Sequence, residues 1–160
     1  NMDITFQTPE GRFNYRVAAV IAHRERLLVM RDDAVSHYSL PGGRVALYET
    51  AEQALARELR EELGIDARIV RPLWLNQSFF VEDNTLERFH ELCLYYLIDA
   101  ARTDLPDRGD SFVFLEDGRR EHWFSWMPFA QLREACFYPL FLKERIWRLP
   151  EQLEILTEYE

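Results

Sequence analysis

Apolar residues alternate with polar ones, or run together, in several short segments of this 160-residue chain, and each segment predicts a β-strand. The clearest segments are 13–22, 27–30, 67–81, 87–99, 112–115 and 122–127. The polar residues 82–85 predict a hairpin turn between two of these strands. From Phe129 onward the pattern predicts helical structure, with Pro139 and Pro150 as boundaries.

One internal segment predicts a well-formed α-helix. Residues 50–63 are rich in alanine and leucine, which favour helices, and Thr50 is a suitable N-cap. Gly64 follows at the usual C-terminal position. Because the strands are not regularly separated by helices, a doubly wound parallel sheet is disfavoured. The sequence therefore predicts a mixed α/β fold of the α+β kind.

The length and composition predict a single domain over residues 2–160, with Asn1 read as a cloning remnant before Met2. With 48% apolar residues, a chain of this length can bury a sizeable core without disulfides or a structural metal. The two cysteines do not suggest a disulfide framework. The longest apolar run, 92–98, is too short to span a membrane. We therefore expect no membrane partner and a cytoplasmic location.

The charge balance bears on the partners of the protein. The chain has 19 basic and 28 acidic residues, which gives a net charge of −9. A nucleic-acid partner is therefore not expected, because binding to phosphate backbones relies on excess positive charge. If the ligand is a polyanion, another source of positive charge is needed, and a divalent cation is the obvious one.

Three carboxylates cluster on the predicted helix. Glu58, Glu61 and Glu62 fall within an arc of roughly 100° beside the leucine stripe of the helix. Arg57 can reach Glu61 across one turn, but one arginine does not compensate three acids. Clustered oxygen ligands are what Mg²⁺ requires. Taken alone, such a helix is more often a solvated face. The upstream glycines of 41–43, which allow close approach of a ligand, weaken that alternative.

The segment 43–65 resembles the signature of the Nudix hydrolases, and we call it the Nudix box. The signature is Gly, five residues, Glu, seven residues, Arg-Glu, an aliphatic residue, any residue, Glu-Glu, any residue, Gly and an aliphatic residue. All nine fixed positions match: Gly43, Glu49, Arg57, Glu58, Leu59, Glu61, Glu62, Gly64 and Ile65. The resemblance implies a mixed β-sheet sandwiched between α-helices. Many members carry glycine at position 48; here Tyr48 makes a positive φ more costly.

The resemblance also implies roles for the residues of the box. Glu58, Glu61 and Glu62, with the carbonyl of Gly42, match the family's ligands for Mg²⁺, for which Mn²⁺ can substitute. Glu49 and Arg57 match a pair that orients these carboxylates. The catalytic set is therefore expected to comprise Arg57, Glu58, Glu61 and Glu62.

The general base of the family has no fixed position. It can be a glutamate of the box or a carboxylate from a later segment. Among later residues we favour Glu121, from its spacing to Trp126, and then Glu116 and Glu91. The alternative is that all three are ordinary surface acids. His90 and His122 each neighbour one of these glutamates and are expected as hydrogen-bonding partners rather than metal ligands.

The implied activity is Mg²⁺-dependent cleavage of a nucleoside diphosphate linked to a further group, by attack of water at phosphorus. No subgroup marker follows the box, so we expect a (d)NTP or an oxidised (d)NTP as the small-molecule substrate. The alternatives are ADP-ribose or another nucleotide sugar, a silent nucleotide-sensing module, and an isomerase acting on an isopentenyl diphosphate, which would need a catalytic cysteine. The resemblance also implies that exposed N-terminal strands can pair into a homodimer.

Four residues are expected to contact the substrate: Arg16, Gly43, Phe79 and Phe80. Phe79 and Phe80, like Tyr15, could stack on a base. The alternative for each aromatic residue is packing in the core.

Overall fold

Ten strands form two β-sheets in a computed structural model that describes residues 2–32 and 36–160. The strands are β1 (Thr5–Thr8), β2 (Gly11–Val20), β3 (Ala22–His23), β4 (Arg26–Asp32), β5 (Gly42–Arg44), β6 (Arg68–Val81), β7 (Arg88–Asp99), β8 (Ser111–Glu116), β9 (Arg120–Pro128) and β10 (Glu154–Tyr159). The larger sheet has the order β1-β2-β7-β6-β10, with β5 also paired to β2. The smaller sheet has the order β3-β4-β9-β8. Asn1 lies outside the described residues.

The larger sheet is mixed. Strands β2 and β7 pair in parallel, as do β6 and β10, whereas β1 with β2 and β6 with β7 pair antiparallel. The smaller sheet is antiparallel throughout. Short helices accompany these strands, and the predicted mixed α/β class, of the α+β kind, is therefore confirmed.

Helix α1 (Ala51–Leu63) follows the sequence prediction at both ends. The Thr50 hydroxyl accepts a hydrogen bond from the Gln53 backbone N–H at 3.1 Å, and the Gln53 side chain accepts from the Thr50 N–H at 2.9 Å. This reciprocal pair is a capping box, which satisfies two otherwise unpaired donors. Gly64 ends the helix in the left-handed region, with φ of 67°. In the part of the chain that the structure describes, no helix combines the length and apolarity needed to cross a membrane.

Helices flank the strands on two sides. Along β2, Val17 and Ala19 face an apolar cluster that includes the buried leucines of α1. Ala18 and Val20 face a second cluster built with the C-terminal part of the chain, which contains α2 (Phe129–Leu132) and α3 (Leu142–Arg145). The sheets therefore lie between α1 on one side and α2 and α3 on the other, the layered arrangement expected from the sequence.

The C-terminal segment departs from the prediction of helical structure. It contains only the two four-residue helices α2 and α3, and it ends in strand β10. β10 pairs in parallel with β6, with Leu156 opposite Asn76. Ile155 and Thr157, which are β-branched, favour a strand, and pairing at a sheet edge supplies main-chain hydrogen bonds that local propensity does not report.

Candidate active site

Arg57 is the centre of the hydrogen-bond network in the Nudix box. Its guanidinium donates from Nε to Glu49 Oε2 at 2.8 Å and from Nη2 to Glu49 Oε1 at 3.0 Å. Nη2 also donates to the carbonyl of Arg44 at 3.1 Å. The two hydrogen bonds from Arg57 to Glu49, and a further one from the Ala46 backbone N–H, hold the pKa of Glu49 below its usual value. A bidentate pair of this kind fixes the side chain of Arg57 in the middle of α1.

The same guanidinium reaches two helix carboxylates. Nη1 donates to Glu58 Oε1 at 2.9 Å and lies 3.3 Å from Glu61 Oε2. The Glu58 carboxylate packs directly against Gly43, where a Cβ atom would lie less than 3.0 Å from both of its oxygens. Position 43 must therefore lack a side chain if Glu58 is to occupy this place.

Glu62 has a different environment. Its Oε1 accepts a hydrogen bond from the Gly42 backbone N–H at 2.8 Å. In the part of the chain that the structure describes, no lysine or arginine forms a direct ion pair with it. Burial, which removes the carboxylate from water, is the main cause that raises the pKa of Glu62 to about 8. The nearby negative charges of Glu58 and, to a smaller extent, Asp32 add to this rise. Among the described residues, Glu62 is therefore a partly buried acid without a direct ion pair.

These features suit a hard cation. The donor set consists of carboxylate and carbonyl oxygens, and adjacent carboxylates removed from water need a compensating charge. Within residues 2–32 and 36–160, no group of three or more acidic, histidine or cysteine side chains is close enough to hold a metal ion as arranged. Glu58 is turned toward Arg57 and Glu62 toward Gly42, so binding of an ion would require their carboxylates to converge.

The close approach of Gly43 to Glu58 gives a testable expectation. In Gly43→Ala, the new methyl group would displace the Glu58 carboxylate, and we expect kcat/KM for hydrolysis to fall about tenfold to hundredfold. Gly109→Ala is the control, because no atom lies within 4 Å of a Cβ there. That change strains a left-handed residue and should lower stability without lowering kcat/KM. Equal kcat/KM values for the two variants would contradict the assignment.

Three side chains of the smaller sheet form a second polar cluster on the side of α1. They are Asp32 of β4, His122 of β9 and Glu116 of β8, and we call them the histidine cluster. His122 is fully buried; its Nδ1 lies 2.7 Å from Asp32 Oδ1 and its Nε2 lies 2.8 Å from Glu116 Oε1. The expectation that His122 is a hydrogen-bonding partner is confirmed. Asp32 was missed from sequence, because it stands at the end of an ordinary strand.

Glu121, the favoured later carboxylate, is not brought to this side of the sheet. It is exposed and precedes the fully buried His122 in β9. Because successive side chains of a strand point to opposite faces, Glu121 points away from the face that carries His122. Trp123 shares its outward direction and is 45% exposed. Glu116, the second choice from sequence, is the carboxylate that the strands place on the same face as His122.

A cavity of about 400 Å³ adjoins Arg16 on the other face of the larger sheet. Arg16 Nε lies 3.8 Å from Glu91 Oε1, so this later glutamate is paired with arginine inside the cavity wall. Burial raises the pKa of Glu58 and Glu62, and the Arg16 guanidinium is near enough to oppose that rise. Arg16 therefore stands between the cavity and the carboxylates of the box.

The two phenylalanines expected at the substrate site are separated. Phe80 lines the cavity beside Arg16. Phe79 lies on the opposite face of β6, where its ring centroid is 4.5 Å from that of His90 and 5.0 Å from that of Tyr159. Asn76, on the same face as Phe80, also lines the cavity and was missed from sequence; its amide oxygen is buried without a hydrogen-bond partner among the described residues.

Comparison with known proteins identifies the family of this chain. The model of the NUDIX domain matches residues 12–145, and the chain therefore belongs to the Nudix hydrolase family. A Mycobacterium tuberculosis protein named as a mutator protein, MutT4, is 35% identical over 132 residues. That match covers 81% of this chain but 45% of the relative, so the chain spans less than half of the relative's length.

Solved structures share the fold at low sequence identity. A mutator MutT protein from Bacillus halodurans superimposes with a TM-score of 0.61 at 10% identity, covering 91% of this chain and 90% of the other. An ADP-ribose pyrophosphatase from Streptococcus suis gives a TM-score of 0.55 at 16% identity, covering 92% and 98%. At these identities the likeness concerns the fold alone.

Proposed function

We propose that this protein is a Mg²⁺-dependent pyrophosphohydrolase that cleaves a (d)NTP, or an oxidised (d)NTP, by attack of water at phosphorus. The observation that carries the proposal is the pair Glu58 and Glu62. Both carboxylates are held beside the glycines of 42–43, and among the described residues Arg57 pairs with Glu58 but no basic side chain pairs directly with Glu62. Such an arrangement is suited to a metal-chelated polyanion and repels a bare one.

Glu58, Glu61 and Glu62 would hold Mg²⁺ together with the carbonyl of Gly42. When bound, the cation neutralises charge on the diphosphate and lowers the pKa of a bound water. Arg57 orients the carboxylates of the helix through its hydrogen bonds to Glu49 and Glu58. Arg16 adds positive charge on the side of the cavity, which favours an anionic substrate there.

Glu116 is our proposal for the later carboxylate that accepts the proton of the attacking water. Its side chain remains 23% exposed, which gives water access, while one of its oxygens is fixed by His122. Glu121 faces the other way, and Glu91 is occupied by Arg16 and Asn14. A general base needs both a defined position and contact with water.

The cavity beside Arg16 would accept the base of the nucleotide. Phe80 can pack on a ring, and the Asn76 amide can form hydrogen bonds with its edge. The Mycobacterium tuberculosis relative is named only as a mutator protein, whereas the Streptococcus suis neighbour is named as an ADP-ribose pyrophosphatase, which keeps ADP-ribose as the alternative substrate.

A screen of nucleotides tests this proposal. Canonical and oxidised (d)NTPs, ADP-ribose and nucleotide sugars are incubated with the protein and Mg²⁺ or Mn²⁺, and the products are separated by chromatography. We expect a nucleoside monophosphate and pyrophosphate from at least one (d)NTP. Cleavage of ADP-ribose alone would move the substrate assignment to the alternative, and no cleavage of any compound would refute the hydrolase.

A homodimer stays a prediction for which the sheet offers one support. β1 lies at the edge of the larger sheet, so its outer main-chain groups can pair with another strand. Light scattering coupled to size-exclusion chromatography measures the mass in solution, and a monomer would contradict the expectation.

A further inference from the structure

The histidine cluster places a buried ring between two acids. His122 sits in register with Asp32 on β4 and with Phe114 on β8, and its side chain has no exposed surface. Its two nitrogens each approach a different carboxylate, at 2.7 Å and 2.8 Å. Neither carboxylate can donate a hydrogen bond when it is ionised.

The contact with Glu116 has a defined direction if that acid is to take a proton. An ionised carboxylate can only accept, so the 2.8 Å contact needs an N–H at Nε2 of His122. Arg120 donates to Asp32 Oδ2 at 3.1 Å and so helps to fix the acid at the other end of the ring.

The two acids are not equivalent within the cluster. Both oxygens of Asp32 are engaged, one by His122 and the other by Arg120. Glu116 is engaged through Oε1 only, and its Oε2 accepts no hydrogen bond from any described residue. Asp32 is thus fixed as an anchor beside Glu62, and Glu116 keeps one oxygen available.

We propose that His122 is a positioning residue: anchored by Asp32, it donates from Nε2 to Oε1 of Glu116 and holds that side chain so that Oε2 can take the proton of the attacking water. The proposal rests on the hydrolase function proposed above. It assigns no contact between His122 and the substrate. The water loses its proton to Oε2 of Glu116 as its oxygen forms the new bond to phosphorus, and the diphosphate leaving group departs with the electrons of the broken P–O bond.

Two substitutions of His122 each keep one of its two hydrogen bonds and remove the other. In His122→Gln, the amide nitrogen can replace Nε2 and keep the bond to Glu116. In His122→Asn, the amide nitrogen can replace Nδ1 and keep the bond to Asp32 instead. We expect kcat to fall about tenfold to hundredfold in His122→Asn and less in His122→Gln, with KM little changed in both. His90→Asn, which changes a ring that packs on Phe79 in the larger sheet, is the control and should keep the wild-type kcat.

Nuclear magnetic resonance of the wild-type protein gives a readout that needs no substrate. With ¹⁵N in the imidazole rings, the four histidines are resolved, and the His122 signals are those lost in either variant. We expect Nε2 of His122 to carry hydrogen, as its bond to Glu116 requires. A ring whose Nε2 carries no hydrogen would overturn the proposal.

The kinetic outcomes distinguish this proposal from the proposed function. If the wild-type protein cleaves no nucleotide, the hydrolase assignment fails, and the protonation of His122 is still decided by resonance. If the wild-type protein is active and both His122 variants keep its kcat, the positioning role fails while the hydrolase stands. Equal losses of kcat in the two variants, or a larger loss of kcat in His122→Gln, would also overturn the positioning role.

Discussion

Glu62→Gln is expected to lower kcat by a factor on the order of 10²–10⁴, comparable with losing an acid–base or charge-stabilising contribution. The amide keeps the shape of the side chain and can still accept the Gly42 N–H. It removes the negative charge that is proposed to bind the cation. Steady-state kinetics at saturating Mg²⁺ measure the effect.

The fold of this variant should be retained. The charge of Glu62 lies near that of Glu58 and has no direct ion pair among the described residues, so the neutral amide should leave the melting temperature unchanged or raise it. Arg60→Gln is the control on the same helix, because it changes an exposed charge whose only described partner is Asp66. An unfolded Glu62→Gln protein, or one with wild-type kcat, would refute the role in catalysis.

Glu116→Gln is expected to have an effect of the same order, a loss of about 10²–10⁴ in kcat, if this residue is the general base. The amide can accept the hydrogen bond from His122 but cannot take a proton from water at neutral pH. Glu121→Gln, five residues along the chain and on the outer face of the sheet, is the matched comparison and should retain activity.

The opposite result has a definite meaning. If Glu121→Gln lowers kcat while Glu116→Gln does not, the general base is Glu121. The spacing to Trp126 in the sequence would then identify the base better than the arrangement of the strands. If neither variant loses kcat, the base lies within the box. Circular dichroism and melting temperatures for both variants exclude unfolding as the cause.

The sequence predicted the parts of the site that depend on local structure. The helix, its Thr50 cap and its Gly64 end follow from residues close in the chain, and so does the spacing that brings Arg57 to Glu61. Tyr48 differs from these cases. The sequence indicated that a tyrosine there makes a positive φ costly, yet the structure has a φ of 67° at this residue, which is 99% exposed.

The remaining parts depend on pairing between distant segments. Asp32 and His122 meet because β4 pairs with β9, which no local pattern reports. Glu121 and Glu116 were ranked by distance along the chain, but the face on which each lies is fixed by the register of β8 and β9. The same alternation separates Phe79 from Phe80. The strand β10 was missed because its pairing with β6 joins segments that are distant along the chain.

The dependence of hydrolysis on a divalent cation is the most direct test of the central claim, that the carboxylates of the Nudix box form a metal site for cleaving nucleotides. The protein is treated with EDTA, transferred to metal-free buffer and assayed with its best nucleotide, and Mg²⁺ is then added back in millimolar steps. We predict that EDTA abolishes hydrolysis and that Mg²⁺ restores it, with Mn²⁺ able to substitute. Full activity in metal-free buffer would contradict the account.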